Sequence, residues 1–178
     1  MHFVIVPGIN GSDENHWQSI WQDAWGPSAS RFAPSSWDYP DLDDWRAALD
    51  RAVAGVDDDV VVVAHSLGCH AATAAPLRAN VRGLFLVAPP DVTRSNFPAE
   101  AASFSGLTPA PVSVPGLVVY GEDDPYCDPA VSVRLATGWG LPHVSAGPVG
   151  HVNSASGLEG WDFGQALLIA FTAGIQRG

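Results

Sequence analysis

Four short apolar bursts dictate the architecture open to this chain: Phe3 to Val6, Val60 to Ala64, Leu84 to Ala88 and Leu117 to Tyr120. They are rich in Val and Leu, and none alternates apolar with polar residues. Runs of this length and continuity suit strands covered on both faces of a parallel sheet. A weaker strand is expected near Arg31 to Ala33 or Ser36 to Tyr39, and another near His143 to Ala146. Between the bursts lie stretches of helical character. Ser12-Asp13-Glu14 offers capping chemistry ahead of Trp17, Ile20, Trp21 and Trp25. Asp41 to Val53, Ser66 to Ala79, Pro129 to Ala136 and Leu158 to Ile175 supply the other helices. Strand and helix in alternation predict an α/β fold: a three-layer α/β/α sandwich around a mainly parallel sheet of five or six strands. The Pro-rich segment from Ala88 to Pro115 lies between two core strands, so it reads as a loop-bearing excursion and not as a linker or a separate lid domain. With 178 residues, positions 1–178 fit one compact domain.

Composition narrows the partners. All eight basic residues are Arg, and the formal net charge is −11. That charge repels phosphate backbones and anionic lipid, so neither nucleic acid nor a membrane surface is an expected partner. The opening Met-His-Phe-Val-Ile-Val-Pro-Gly lacks a basic n-region and is too short in its apolar run for a signal peptide. No stretch approaches the roughly 18 apolar residues of a membrane span. The cysteines Cys69 and Cys127 make neither a disulfide framework nor a metal cluster, which suits reduced thiols in the cytoplasm. No metal or organic cofactor is expected.

The chemistry centres on Ala64-His65-Ser66-Leu67-Gly68, set between a buried strand and an Ala-rich helix. This is the G-x-S-x-G nucleophile-elbow pattern with Ala in the first Gly position. A strand that turns sharply into a helix with Ser at the bend needs small neighbours, and Ala64 and Gly68 supply them. The helix N-terminus beneath Ser66 also favours the negative charge that develops during acyl transfer.

Such an elbow is followed along the chain by an acid and then a His. The acid should follow a strand, and Gly121-Glu122-Asp123-Asp124-Pro125 follows Leu117 to Tyr120. Asp124 is favoured because Pro125 ends the turn; Asp123 is the second choice, and Glu122 reads as solvated. The base should sit on a late loop, and His151 in Gly150-His151-Val152-Asn153 fits, with Gly150 giving the backbone freedom to present the ring. Backbone N–H groups for an oxyanion should come from Leu67 and from the Gly-rich loop Pro7-Gly8-Ile9-Asn10-Gly11, with Ile9 preferred and Asn10 next. Asn10, His16 and His65 are candidate pocket residues. His70 is expected to pack under the strand, and Trp17, Trp21 and Trp25, at spacing four, to pack the core from one helical face. Cys69 lies past the elbow, so a packing role outweighs a thiol nucleophile.

In this order the residues resemble the retinoblastoma-binding-protein-like small serine hydrolases. The likeness rests on Pro7-Gly8, His16-Trp17 with Trp21, Ala64-His65-Ser66-Leu67-Gly68-Cys69, Gly121-Glu122-Asp123-Asp124-Pro125-Tyr126-Cys127 and Gly150-His151-Val152-Asn153-Ser154. It implies a compact α/β-hydrolase fold and Ser66, Asp124 and His151 as nucleophile, acid and base. It also implies hydrolysis of small ester or thioester substrates through an acyl-enzyme. Some members of that family act mainly by binding proteins, so a catalytically silent interaction module is the alternative. The small excursion predicts an open, shallow pocket for short acyl groups.

Overall fold

The computed structural model describes residues 1–175. Six strands form one sheet in the order β2-β1-β3-β4-β5-β6, and every pairing is parallel. The strands are β1 (His2–Val6), β2 (Ala29–Arg31), β3 (Val60–His65), β4 (Val81–Val87), β5 (Gly116–Tyr120) and β6 (His143–Ser145). The helices are α1 (Trp17–Trp25), α2 (Leu42–Ala54), α3 (Leu67–Ala74), α4 (Pro129–Trp139) and α5 (Asp162–Ile175).

Strand side chains alternate between two cores. Val4, Val6, Val62, Leu84, Leu86 and Val118 point to one face, where α2 and α4 add Trp45, Leu49 and Trp139. Ile5, Val61, Val63, Phe85, Val87 and Val119 point to the other, against Trp17 and Trp21 of α1 and Leu168 of α5. Burial on both faces is the reason these strands carry unbroken apolar runs. The chain leaves β1 toward β2 on one side and returns through β3 on the other. That reversal opens a crevice at the carboxyl ends of β1 and β3, where α/β sheets place ligands. The loop carrying Ile9 follows β1, and Ser66 follows β3.

Several boundaries differ from the sequence expectation. The weak strand is Ala29–Arg31, paired with β1 through Phe3 and Ala29. Ser36 to Tyr39 is instead a turn, in which the Tyr39 N–H donates to the Ser36 hydroxyl at 3.0 Å. Helix α1 is not capped by Ser12-Asp13-Glu14 but by His16, whose ring accepts the Gln18 N–H. The Asp13 carboxylate is already engaged by the Asn15 N–H and the Ser154 hydroxyl. Helix α3 stops at Ala74 because Ala75 precedes Pro76 and is held extended, at φ −76° and ψ 146°. Helix α5 starts only at Asp162, since Glu159 and Trp161 take the left-handed backbone at φ 47° and 46°. Trp161 uses that bend to stack on Trp21, ring centroids 5.8 Å apart.

Candidate active site

The elbow has the conformation its sequence calls for. Ser66 sits at φ 53° and ψ −128°, a strained backbone for a residue with a Cβ. The neighbouring chain must come close, and small residues allow it. A Cβ on Gly8 would lie 2.6 Å from Ser66 Cβ, and one on Gly68 would lie 2.6 Å from the Pro7 carbonyl oxygen. The loop after β1 is thereby pressed against both Ser66 and the start of α3.

A chain of three side chains then crosses the crevice. His151 Nδ1 donates to Asp124 Oδ2 at 2.8 Å, which leaves Nε2 to accept the Ser66 Oγ–H at 2.8 Å. All three residues are buried. Asp124 Oδ1 accepts the Tyr126 N–H at 2.8 Å, so both carboxylate oxygens are fixed. The adjacent acids do different work. Asp123 Oδ1 accepts the Gly150 N–H at 2.6 Å, and the exposed Glu122 accepts the Ser145 hydroxyl at 2.8 Å. Gly150 takes φ 63° at the entry to the His151 loop, and Val152 follows at φ 50°.

The candidate oxyanion donors separate on hydrogen bonding. Asn10 N–H is consumed by the Trp37 carbonyl at 2.9 Å. Among the described residues, Ile9 N–H has no such acceptor, and Leu67 N–H is the free first donor of α3. Ile9, Asn10 and Leu67 border one cavity of about 900 Å³ together with Ser66, His151, His16 and His65. The excursion between β4 and β5 supplies further wall through Pro90, Phe97 and Ala101.

Three histidines line up beside the elbow. His16 and His65 have ring centroids 4.7 Å apart, and His65 and His151 are 5.0 Å apart. His65 Nε2–H donates to the His151 carbonyl at 2.9 Å, tying β3 to the His151 loop. Desolvation pushes His65 well below its usual range and takes His16 down to about 4, so both rings are neutral at pH 7. His70 Nε2–H donates to the Pro90 carbonyl at 2.8 Å and anchors the excursion.

Positioning residues without a role in the sequence reading also emerge. The Trp17 indole donates to the Val152 carbonyl at 2.8 Å, so a core residue also holds the His151 loop. Gln18 is fully buried and donates to the Val63 carbonyl at 3.0 Å, while its Oε1 accepts from Ser12 at 2.7 Å. Tyr126 covers the His151 ring, centroids 4.6 Å apart, yet is itself half exposed. Trp17, Trp21 and Trp25 are absent from the cavity lining; Trp17 and Trp21 are buried in the core and Trp25 stacks on Phe3. Among the described residues, no group of three or more His, Cys, Asp or Glu side chains could hold a metal ion.

The six-stranded parallel sheet with Ser66 at a strand-to-helix elbow defines an α/β-hydrolase fold. The serine hydrolase family model matches residues 3–170, and the chain belongs to that family. The chain is similar to a YdeN-like hydrolase from Pectobacterium atrosepticum, with 29% identity, a TM-score of 0.85 and coverage of 98% of this chain and 91% of that one. It also resembles the ydeN gene product of B. subtilis, at 22% identity and TM-score 0.77, covering 97% and 98%. Est1E from Butyrivibrio proteoclasticus with ferulic acid bound shares the fold at 14% identity and TM-score 0.72, over 96% and 89%. A search of curated proteins gives no match. Among the described residues no helix is long and apolar enough to cross a membrane.

Proposed function

We propose that the chain is a serine esterase, also competent with thioesters, in which Ser66 is the nucleophile, His151 the base and Asp124 the orienting acid. The observation that carries this reading is the pair of 2.8 Å contacts linking Asp124, His151 and Ser66. His151 Nε2 takes the Ser66 proton as Oγ bonds to the acyl carbon, and the carbonyl oxygen becomes an anion received by the Ile9 and Leu67 N–H groups. The tetrahedral adduct collapses, the bond to the leaving oxygen or sulfur breaks, and His151 returns the proton to that atom. Water, deprotonated by the same ring, then releases the acid from Ser66. Asp124 stabilises the imidazolium without taking its proton. Within the serine hydrolase family, the motif order favours the retinoblastoma-binding-protein-like branch, and the fold suits a small-molecule acyl substrate acted on in the cytoplasm.

A fluorophosphonate probe tests the reading. The wild-type protein should label, Ser66→Ala should not, and His151→Ala should label far more slowly. Folded wild-type protein that resists the probe overturns the catalytic assignment and leaves an interaction module on a hydrolase scaffold.

A further inference from the structure

The large apolar side chains left exposed on the described residues fall in two places. Phe163 and Ile169 lie on α5, and Tyr39 and Tyr126 both border the cavity at Ser66. Exposed aromatic surface gathered at a cavity marks a place where a ligand covers it.

Tyr126 is placed by the turn that carries Asp124. Its N–H donates to Asp124 Oδ1 at 2.8 Å, and its carbonyl accepts the Asp91 N–H at 3.0 Å. The backbone is taken up in holding that turn, and the residue is 54% exposed, so what it presents is its ring. The ring meets the His151 imidazole in an edge-to-face arrangement, with 4.6 Å between centroids and 72° between planes. Such a contact occupies at most one face of the phenol and leaves the rest for another ring.

The same contact decides which part of a substrate Tyr126 meets. The leaving oxygen must come roughly 3 Å from His151 Nε2 to collect its proton. The phenol centroid is 4.6 Å from the imidazole that delivers it. An aromatic ring one carbon beyond that oxygen can therefore settle at the roughly 4.5–7 Å separation at which aromatic rings attract. The acyl chain is bonded to the carbon that Ser66 attacks and has no such tie to the imidazole.

We propose that Tyr126 is a specificity-determining residue for the leaving group, and that the substrate class is a small acyl ester of an aromatic alcohol whose ring packs on the Tyr126 phenol. The inference rests on the serine-esterase reading above.

The test compares benzyl acetate with cyclohexylmethyl acetate. The two share the acyl group, the carbon skeleton and a primary alcohol as leaving group, and differ in whether the ring is aromatic. Wild-type protein should prefer the benzyl ester in kcat/KM. Tyr126→Leu keeps an apolar side chain without a π face. It should lower the benzyl-to-cyclohexylmethyl ratio about 3–10-fold, the range of one aromatic pair. Tyr126→Phe should keep the wild-type ratio, because the ring and not the hydroxyl makes the contact. Equal loss on both esters in Tyr126→Leu would make Tyr126 a mere cover for His151 and overturns the inference, as does an unchanged ratio. If Tyr126→Leu fails to fold, the wild-type preference decides alone, and its absence overturns the inference. A protein that labels with fluorophosphonate but treats the two esters alike refutes only the aromatic subsite; one that neither labels nor cleaves either ester refutes the esterase reading as well.

Discussion

Asp123 accepts the Gly150 N–H at 2.6 Å, one residue before each partner of the 2.8 Å contact between Asp124 and His151. Two adjacent carboxylates therefore divide the work. One holds the loop backbone, and the other holds the ring that the loop presents. The approach is close enough that a Cβ on Gly121 would collide with the Gly150 carbonyl. Replacing the acids should separate these jobs. Asp124→Asn is expected to cut kcat by about 10³–10⁴-fold, since the ring loses both its tautomer and its charge partner. Asp123→Asn should cost only about 10-fold through a looser loop, because misplacement near 1 Å costs about 100-fold. Steady-state kinetics on one ester checks both, and equal losses would contradict the division.

The space between Gly8 and Ser66 makes a second prediction. A methyl group at Gly8 has to displace the Ser66 side chain or the loop that carries Ile9. Gly8→Ala should lower kcat by about 100-fold or more if the proposed roles hold, because Ser66 and the Ile9 N–H move apart. The circular dichroism spectrum should stay unchanged. A fully active variant would show that the loop is not part of the site.

The thiols should be silent. Cys69 is buried with its Sγ–H directed to the Val87 carbonyl at 3.3 Å, and burial raises its pKa. Burial also pushes Cys127 up to about 11. Neither forms appreciable thiolate at pH 7 to 8. Iodoacetamide treatment and Cys69→Ala should each leave hydrolase activity within about twofold of wild type, given that volume-reducing changes act on packing first. Loss of activity on alkylation of the folded protein would reopen a thiol mechanism.

Buried histidines set the acid limit of stability. Desolvation lowers His16 and His70 from the ordinary 6.5 to about 4, and it holds His65 well below 6.5. Between pH 6.5 and 4 the unfolded chain binds protons that the folded chain refuses, so stability is full above pH 6.5 and falls as the pH drops toward 4. His16 and His70 should each contribute about 3 kcal/mol over that window, and His65 acts in the same direction. Thermal unfolding at pH 7.5 and pH 5 should differ by at least about 5 °C, given 2–4 °C per kcal/mol for a chain of this size. A flat melting temperature over that range would mean the rings are solvated.

The sequence by itself determined the layers and the strand-to-helix bend at Ser66. Buried strands must be apolar on both faces, and the bend at Ser66 admits only small neighbours, so Val60 to Gly68 could be read from residue types alone. Local steric and solvation rules act within a few residues, and they are written in the string. The tertiary structure decided what depends on separations of many residues. Asp123 and Asp124 are indistinguishable as neighbours in a turn, and only the approach of the loop at Gly150 and His151 assigns one to a backbone amide and the other to a ring. The α1 cap fell to His16 over Asp13, whose carboxylate is engaged by Ser154, 141 positions away. Trp17 and Gln18 read as members of an ordinary amphipathic helix until the carbonyls of Val152 and Val63 came within reach. A hydrogen bond is directional and short in range, so its partner is settled by how distant segments pack.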